Sequence, residues 1–217
     1  MSVSTDIDQA SDHSSEQTIT VVGFGRRLIA TLTDGVLLVA FSFIVAFAIG
    51  FVGIFIQMFN PNEPLPLSQL IAICGIILSV IYYVGYWSKS GQTIGKTLLG
   101  IKVVGKDGGR LSGGKALLRY IGYIVSGIAL SLGFLWVAFD RKRQGWHDKI
   151  AGTYVVYAEE EFSEGDALKF VPSDPHQRSW ILVVLWLVLA LVMPAALLGS
   201  LWILGPVISR IVVNIVR

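Results

Sequence analysis

Asp34 is the residue of this 217-residue chain whose placement most calls for chemistry. It lies inside an apolar run, Leu28 to Ile56, in which every other side chain is uncharged. If Arg27 marks the membrane surface, the carboxylate sits roughly 10 Å down the helix axis. Insertion of an aspartate at the centre of a spanning helix costs roughly 2.5–3.5 kcal/mol, so Asp34 must face protein or water instead of lipid. A carboxylate so placed can hold a proton or a cation; the alternative is a buried structural acid. Arg27 shares its helix face, but nearly two turns is too far for a good pair within one helix, and the arginine is expected to reach towards the headgroups. Asp34 then needs a partner from elsewhere. Arg119, just inside a third apolar run, is the first candidate, and Lys96 the second.

Asp148 lies in Gly145-Trp146-His147-Asp148-Lys149, after the cations Arg141, Lys142 and Arg143. A structural role is expected there, capping the re-entrant element described below or pairing with Arg26 or Arg27. His147 could titrate near neutral pH, although a lone histidine beside an aspartate is more often a surface residue. His13, His147 and His176 are scattered and Cys74 stands alone in an apolar run, so neither a metal site nor a disulfide is expected. Gly91-Gln92-Thr93-Ile94-Gly95-Lys96-Thr97 superficially resembles a phosphate-binding loop. Its glycine spacing is one residue short and no buried parallel-strand pattern surrounds it, which argues against ATP. Those glycines are expected to allow a tight turn or close packing against a helix. No nucleophile–base set appears, so no catalytic residue, no cofactor and no enzymatic activity are assigned.

The elements that must position these residues are membrane elements. The chain is 53% hydrophobic and 15% charged, with mean hydropathy +0.67; ordinary soluble domains carry about 25% charged residues. A water-soluble fold of this size could not hide so much apolar surface, whereas lipid accepts it. The net charge of +2 conceals strong segregation. Residues 28–88 hold only Asp34 and Glu63, while Lys89, Lys96, Lys102, Lys106, Arg110, Lys115 and Arg119 follow closely. Between apolar segments that block reads as a cytoplasmic membrane flank and not as a nucleic-acid surface.

Spanning helices are expected near residues 28–56, 67–88 and 179–204. The first is too long to lie upright in about 30 Å of hydrocarbon, so it is expected to tilt, kink near Gly50 or Gly53, or project. It also exceeds the roughly 7–15 residues of a signal-peptide core, so cleavage is not expected. Residues 1–21 read as a disordered polar N-terminus, and residues 158–178 as an acidic cytoplasmic linker. Residues 179–217 read as a last span followed by an interfacial tail. Ile101–Val104 and Thr153–Val156 read as short strands. Arg26 and Arg27 place the N-terminus in the cytoplasm. The third apolar run, Ala116 to Phe139, either crosses as a fourth hydrophobic span or re-enters, turning near Gly127 to Gly133. Re-entry is preferred, since it keeps both cationic flanks in the cytoplasm and lets the two strands pair. The expected fold is thus an all-α polytopic membrane protein with three spanning helices, a re-entrant or fourth segment and a small cytoplasmic β-hairpin-like element.

Several of these segments together resemble the RDD family, named for one arginine and two aspartates. Arg26-Arg27-Leu28-Ile29-Ala30-Thr31-Leu32-Thr33-Asp34 is similar to its first-helix signature. Gly91-Gln92-Thr93-Ile94-Gly95-Lys96 with Ile101-Lys102-Val103-Val104 is similar to its middle motif. Leu118-Arg119-Tyr120 and Gly145 to Thr153 are similar to its closing motifs. The resemblance covers roughly residues 22–157, leaves out residues 158–217, and puts Arg27, Asp34 and Asp148 on the three name-giving positions. It implies a prokaryotic integral membrane protein of the cell membrane, of a family suspected of transport and in some members credited with monovalent cation/proton exchange. The leading expectation is a small cation or proton transporter using Asp34, with Arg27 and Arg119 setting its field. The competing expectation is a non-transporting scaffold or accessory subunit held together by the same charges. The expected partners are the lipid bilayer, a monovalent cation or proton, and either a second copy or other membrane proteins.

Overall fold

The computed structural model describes residues 16–60, 65–162 and 167–173, with Val184 and Val188 beyond them. The expected last span, residues 179–204, and the interfacial tail lie outside the described residues apart from those two valines. Among the described residues, two helices are long and apolar enough to cross a membrane, α1 (Phe24–Phe59) and α2 (Leu67–Lys89). Along the most apolar stretch of each almost nothing is buried, and Phe43, Phe47, Phe51, Ile76 and Ile81 project outward. Without water to compete, only intrahelical hydrogen bonding satisfies such a backbone, which is why these sequences form helices in lipid.

α1 has 36 residues and would extend about 54 Å, well beyond the hydrocarbon. The excess projects at its N-terminal end, where Phe24, Arg27, Leu28, Ala30 and Asp34 are buried against the rest of the protein. The third apolar run is α4 (Gly113–Ile128), α5 (Leu132–Leu135) and a 3-10 turn (Trp136–Ala138), bent by 110° at the break. Leu130 and Ser131 make the break in left-handed conformations, inside the stretch where the glycines place a turn. α4 buries Ala116, Arg119, Gly122 and Ser126, a stripe at helical spacing that faces the short helix α6 (Trp146–Ala151).

The fold departs from an all-helical class. The expected strands appear as β2 (Ile101–Gly105) and β3 (Thr153–Tyr157), antiparallel, with Val103 opposite Val155. They belong to a four-stranded mixed sheet in the order β2-β3-β1-β4. β1 (Glu16–Val21) pairs antiparallel with β3 and parallel with β4 (Ala167–Pro172). The last residues of the supposedly disordered N-terminus and part of the acidic linker are therefore strands. Ile19, Val21, Leu168 and Phe170 supply the apolar alternation that holds them, and Tyr154 stacks on Phe170. A second cluster of Val22, Ala30, Trp87, Ile101, Val103, Ala116 and Val155 locks the sheet to the ends of the helices.

Candidate functional site

Asp34 is fully buried on α1, and three neutral donors hold it. Tyr82 of α2 donates its hydroxyl to Oδ1 at 2.7 Å and Thr93 donates to Oδ2 at 2.6 Å. The backbone N–H of Gly95 donates to Oδ1 at 2.8 Å. Thr93 and Gly95 open α3 (Ile94–Leu98), so the carboxylate ties the first turn of that short helix to α1. Gly95 is required by this contact: a Cβ there would stand 2.3 Å from the carbonyl oxygen of Ala30 and 2.8 Å from Asp34 Oδ1. At Gly91, φ is +72° and a Cβ would meet the Val103 carbonyl oxygen at 2.5 Å. The glycines of the apparent phosphate loop thus serve a tight turn and a close helix approach.

The expected partner of Asp34 is corrected by the structure. Arg119 pairs with Asp148 instead, its Nη1 lying 2.5 Å from Oδ1. Among the described residues no cation forms an ion pair with Asp34, Lys96 included. Arg27 does not reach out to headgroups either. It is buried, its Nη1 donates to Asp148 Oδ2 at 2.8 Å, and its Nε and Nη2 donate to the carbonyls of Val22 and Val155. The physical reason is the projection of α1: Arg27 enters a packed layer of sheet and short helices, not the lipid surface. Of the alternatives for Asp148, pairing with Arg27 is the one realised; Arg26 instead covers the Tyr157 ring and reaches the Leu99 carbonyl.

Asp148 is the centre of this second arrangement. It is fully buried, accepts the backbone N–H of Gly145 at 2.8 Å, and joins α1, α4 and α6 through two guanidiniums. Burial alone would raise its pKa, but Arg119 and Arg27 outweigh that and hold the carboxyl well below the ordinary range. Arg119 also donates to the Thr153 hydroxyl. Next to Asp148, His147 is 4% exposed, its ring packed on Tyr123 and Phe134. Burial, with Arg119, Arg27 and Lys96 nearby, pushes its pKa down to about 3. The histidine is therefore neutral at physiological pH, against the expectation of titration near neutrality.

Arg27, Lys96, Arg119 and His147 come together around one cavity of about 30 Å³, lined also by Thr31, Tyr123 and apolar groups such as Leu28, Phe134 and Val137. Asp34 and Asp148 stand on its two flanks through their bonds to α3 and to the arginines. All five residues singled out by type and spacing thus belong to one polar layer at the end of the spanning helices. Tyr82, Thr93 and Thr153 were missed. Thr93 carried a signal, since it lies in the Gly91–Lys96 motif just before a short helix, where threonine is a favoured N-cap.

Buried arginine–aspartate ties at the foot of two apolar helices define a polytopic membrane protein whose polar chemistry is concentrated in one layer. Residues 21–152 match the RDD family, and the chain belongs to it. It is 38% identical over 148 residues to uncharacterized protein YxaI of Bacillus subtilis, a match covering 62% of this chain and 96% of that protein. It is 30% identical over 121 residues to uncharacterized protein YckC of the same organism, covering 51% and 74%. A proline-rich antigen homolog of Mycobacterium tuberculosis is 30% identical over 106 residues, 46% of this chain and 44% of that protein. No solved structure matches the chain.

Proposed function

We propose that this RDD-family protein moves a monovalent cation or a proton across the cell membrane, with Asp34 as the carboxylate that holds it. The observation that carries this reading is a fully buried acid on a spanning helix, bound only by neutral donors. Its negative charge has no ion pair among the described residues, and a buried carboxylate without a counter-charge favours a bound proton or cation. Arg27 and Arg119 are spent on Asp148, so they shape the field at Asp34 without neutralising it.

Re-entry of residues 113–138 fits this reading. The two ends of the bent pair lead to β2 and β3, which are hydrogen-bonded neighbours, so both ends belong on one side. The seven-cation block and the Arg141–Arg143 cluster then share the cytoplasmic side with the N-terminus. A scaffold or accessory-subunit role is the second reading, and it is favoured by the buried Arg27–Asp148–Arg119 network, which ties α1, α4 and α6 together. Flux through liposomes containing the purified full chain decides between the two. Under the transport reading, Asp34→Asn abolishes pH-coupled sodium or potassium flux while the protein inserts normally. Wild-type liposomes without such flux, or unchanged flux in the variant, refute it.

A further inference from the structure

The polar layer has more positive than negative charge, and Arg119 Nε, Trp87 Nε1, His147 Nδ1 and Asp148 Oδ1 are buried in it without hydrogen-bond partners. Arg27, Lys96 and Arg119 line the cavity; Asp148 pairs with both arginines, and Asp34, held by Tyr82, Thr93 and Gly95, is the other carboxylate of this layer. Three cations against two anions leave one positive charge over. The surplus falls on Lys96, which is 2% exposed. Among the described residues its ammonium has neither a hydrogen bond nor an ion pair; it lies 5.7 Å from the centre of the Trp87 ring. Arg119 shares that ring at 5.1 Å, and its buried Nε–H has no acceptor. The indole N–H of Trp87 is likewise buried without an acceptor. A buried charge left uncompensated is costly, and so is each orphaned donor.

We infer that the cavity binds one small monovalent inorganic anion of halide size, held by Lys96 beside Arg27 and Arg119. The volume of about 30 Å³ admits a single small occupant. It is far below the roughly 300 Å³ at which pockets for organic ligands begin. A water molecule would fit, but it is neutral and leaves the extra charge in place. A halide accepts from every side and cancels that charge. This assignment does not rest on transport at Asp34.

The test is thermal unfolding of the purified full chain in detergent, followed by tryptophan fluorescence, with chloride exchanged for the bulkier gluconate at constant pH and ionic strength. Chloride and bromide raise the melting temperature saturably; at a hundred times the half-saturating concentration the folded-to-unfolded ratio rises about a hundredfold. Lys96→Met removes this dependence, whereas Lys89→Met, outside the cavity, retains it. Equal melting in chloride and gluconate means that water alone fills the space and overturns the site. A chloride dependence that survives in Lys96→Met means ordinary surface binding and overturns it equally. Should Lys96→Met fail to fold, broadening of the chloride-35 resonance by the wild type, reversed by bromide and not by gluconate, carries the test; no broadening overturns the assignment.

Discussion

Replacing Asp148 by Asn removes one charge while keeping the size of the side chain and an oxygen to accept the Gly145 N–H. What it removes is, among the described residues, the only carboxylate touching two buried guanidiniums, Arg27 at 8% exposure and Arg119 at 1%. Breaking a buried pair by deleting one partner costs about 3–5 kcal/mol, because the remaining charge stays desolvated and unpaired. Two arginines are stranded here, so the upper end of that range is expected. At 1.36 kcal/mol per factor of ten, the folded population falls on the order of a thousandfold or more. The loss comes from stranded charge, so Arg119→Met combined with Asp148→Asn should cost less than the sum of the two single changes, by roughly 1–3 kcal/mol. Chemical unfolding of the full chain in detergent, read by tryptophan fluorescence for the wild type and the three variants, gives both quantities. A single Asp148→Asn variant within about 1 kcal/mol of wild type would refute the claim that this acid holds α1, α4 and α6 together. Strict additivity in the cycle would refute the shared-charge explanation even if the variant were unstable.

Acid stability should report the neutral His147. Its folded pKa, about 3, lies below the unfolded value near 6.5. The unfolded chain therefore takes up the proton first, and this contribution, complete above about pH 6.5, is lost as pH falls towards 3. His147→Gln should flatten melting temperature against pH between about 4.5 and 6.5; an unchanged slope assigns it to other groups. Asp148 acts in the same direction at lower pH, where its depressed carboxyl withholds a proton that the unfolded chain accepts below about pH 4. Gly95→Ala should cost about 1–3 kcal/mol by overpacking, since the added methyl meets the Ala30 carbonyl oxygen at 2.3 Å and cannot move it without shifting α1. Chemical unfolding measures it, and Gly114→Ala, where a Cβ meets nothing within 4 Å, is the matched control.

The lipid-facing helices were legible in the sequence because long uncharged runs have one stable solution in a bilayer, and that solution is local. The same holds for the turn between Gly127 and Gly133 and for strands β2 and β3, each marked by residue types within a few positions. The five candidate charges were legible by their rarity in apolar surroundings. Who pairs with whom was not. Asp148 is separated from Arg27 by 121 positions, and Thr93 from Asp34 by 59. Spacing along one helix says only which charges cannot meet. The exchange of partners, with Arg119 given to Asp148 and Asp34 left to hydroxyls and a backbone N–H, depends on how far α1 projects into the sheet layer. Strands β1 and β4 were hidden for a related reason: polar, short segments become strands only when a neighbour supplies the hydrogen bonds. By itself, then, the sequence determined the solvent the protein lives in and which charges must be sheltered from it. The tertiary structure alone decided which charge shelters which, because electrostatic pairing is set by distance through space and not by distance along the chain.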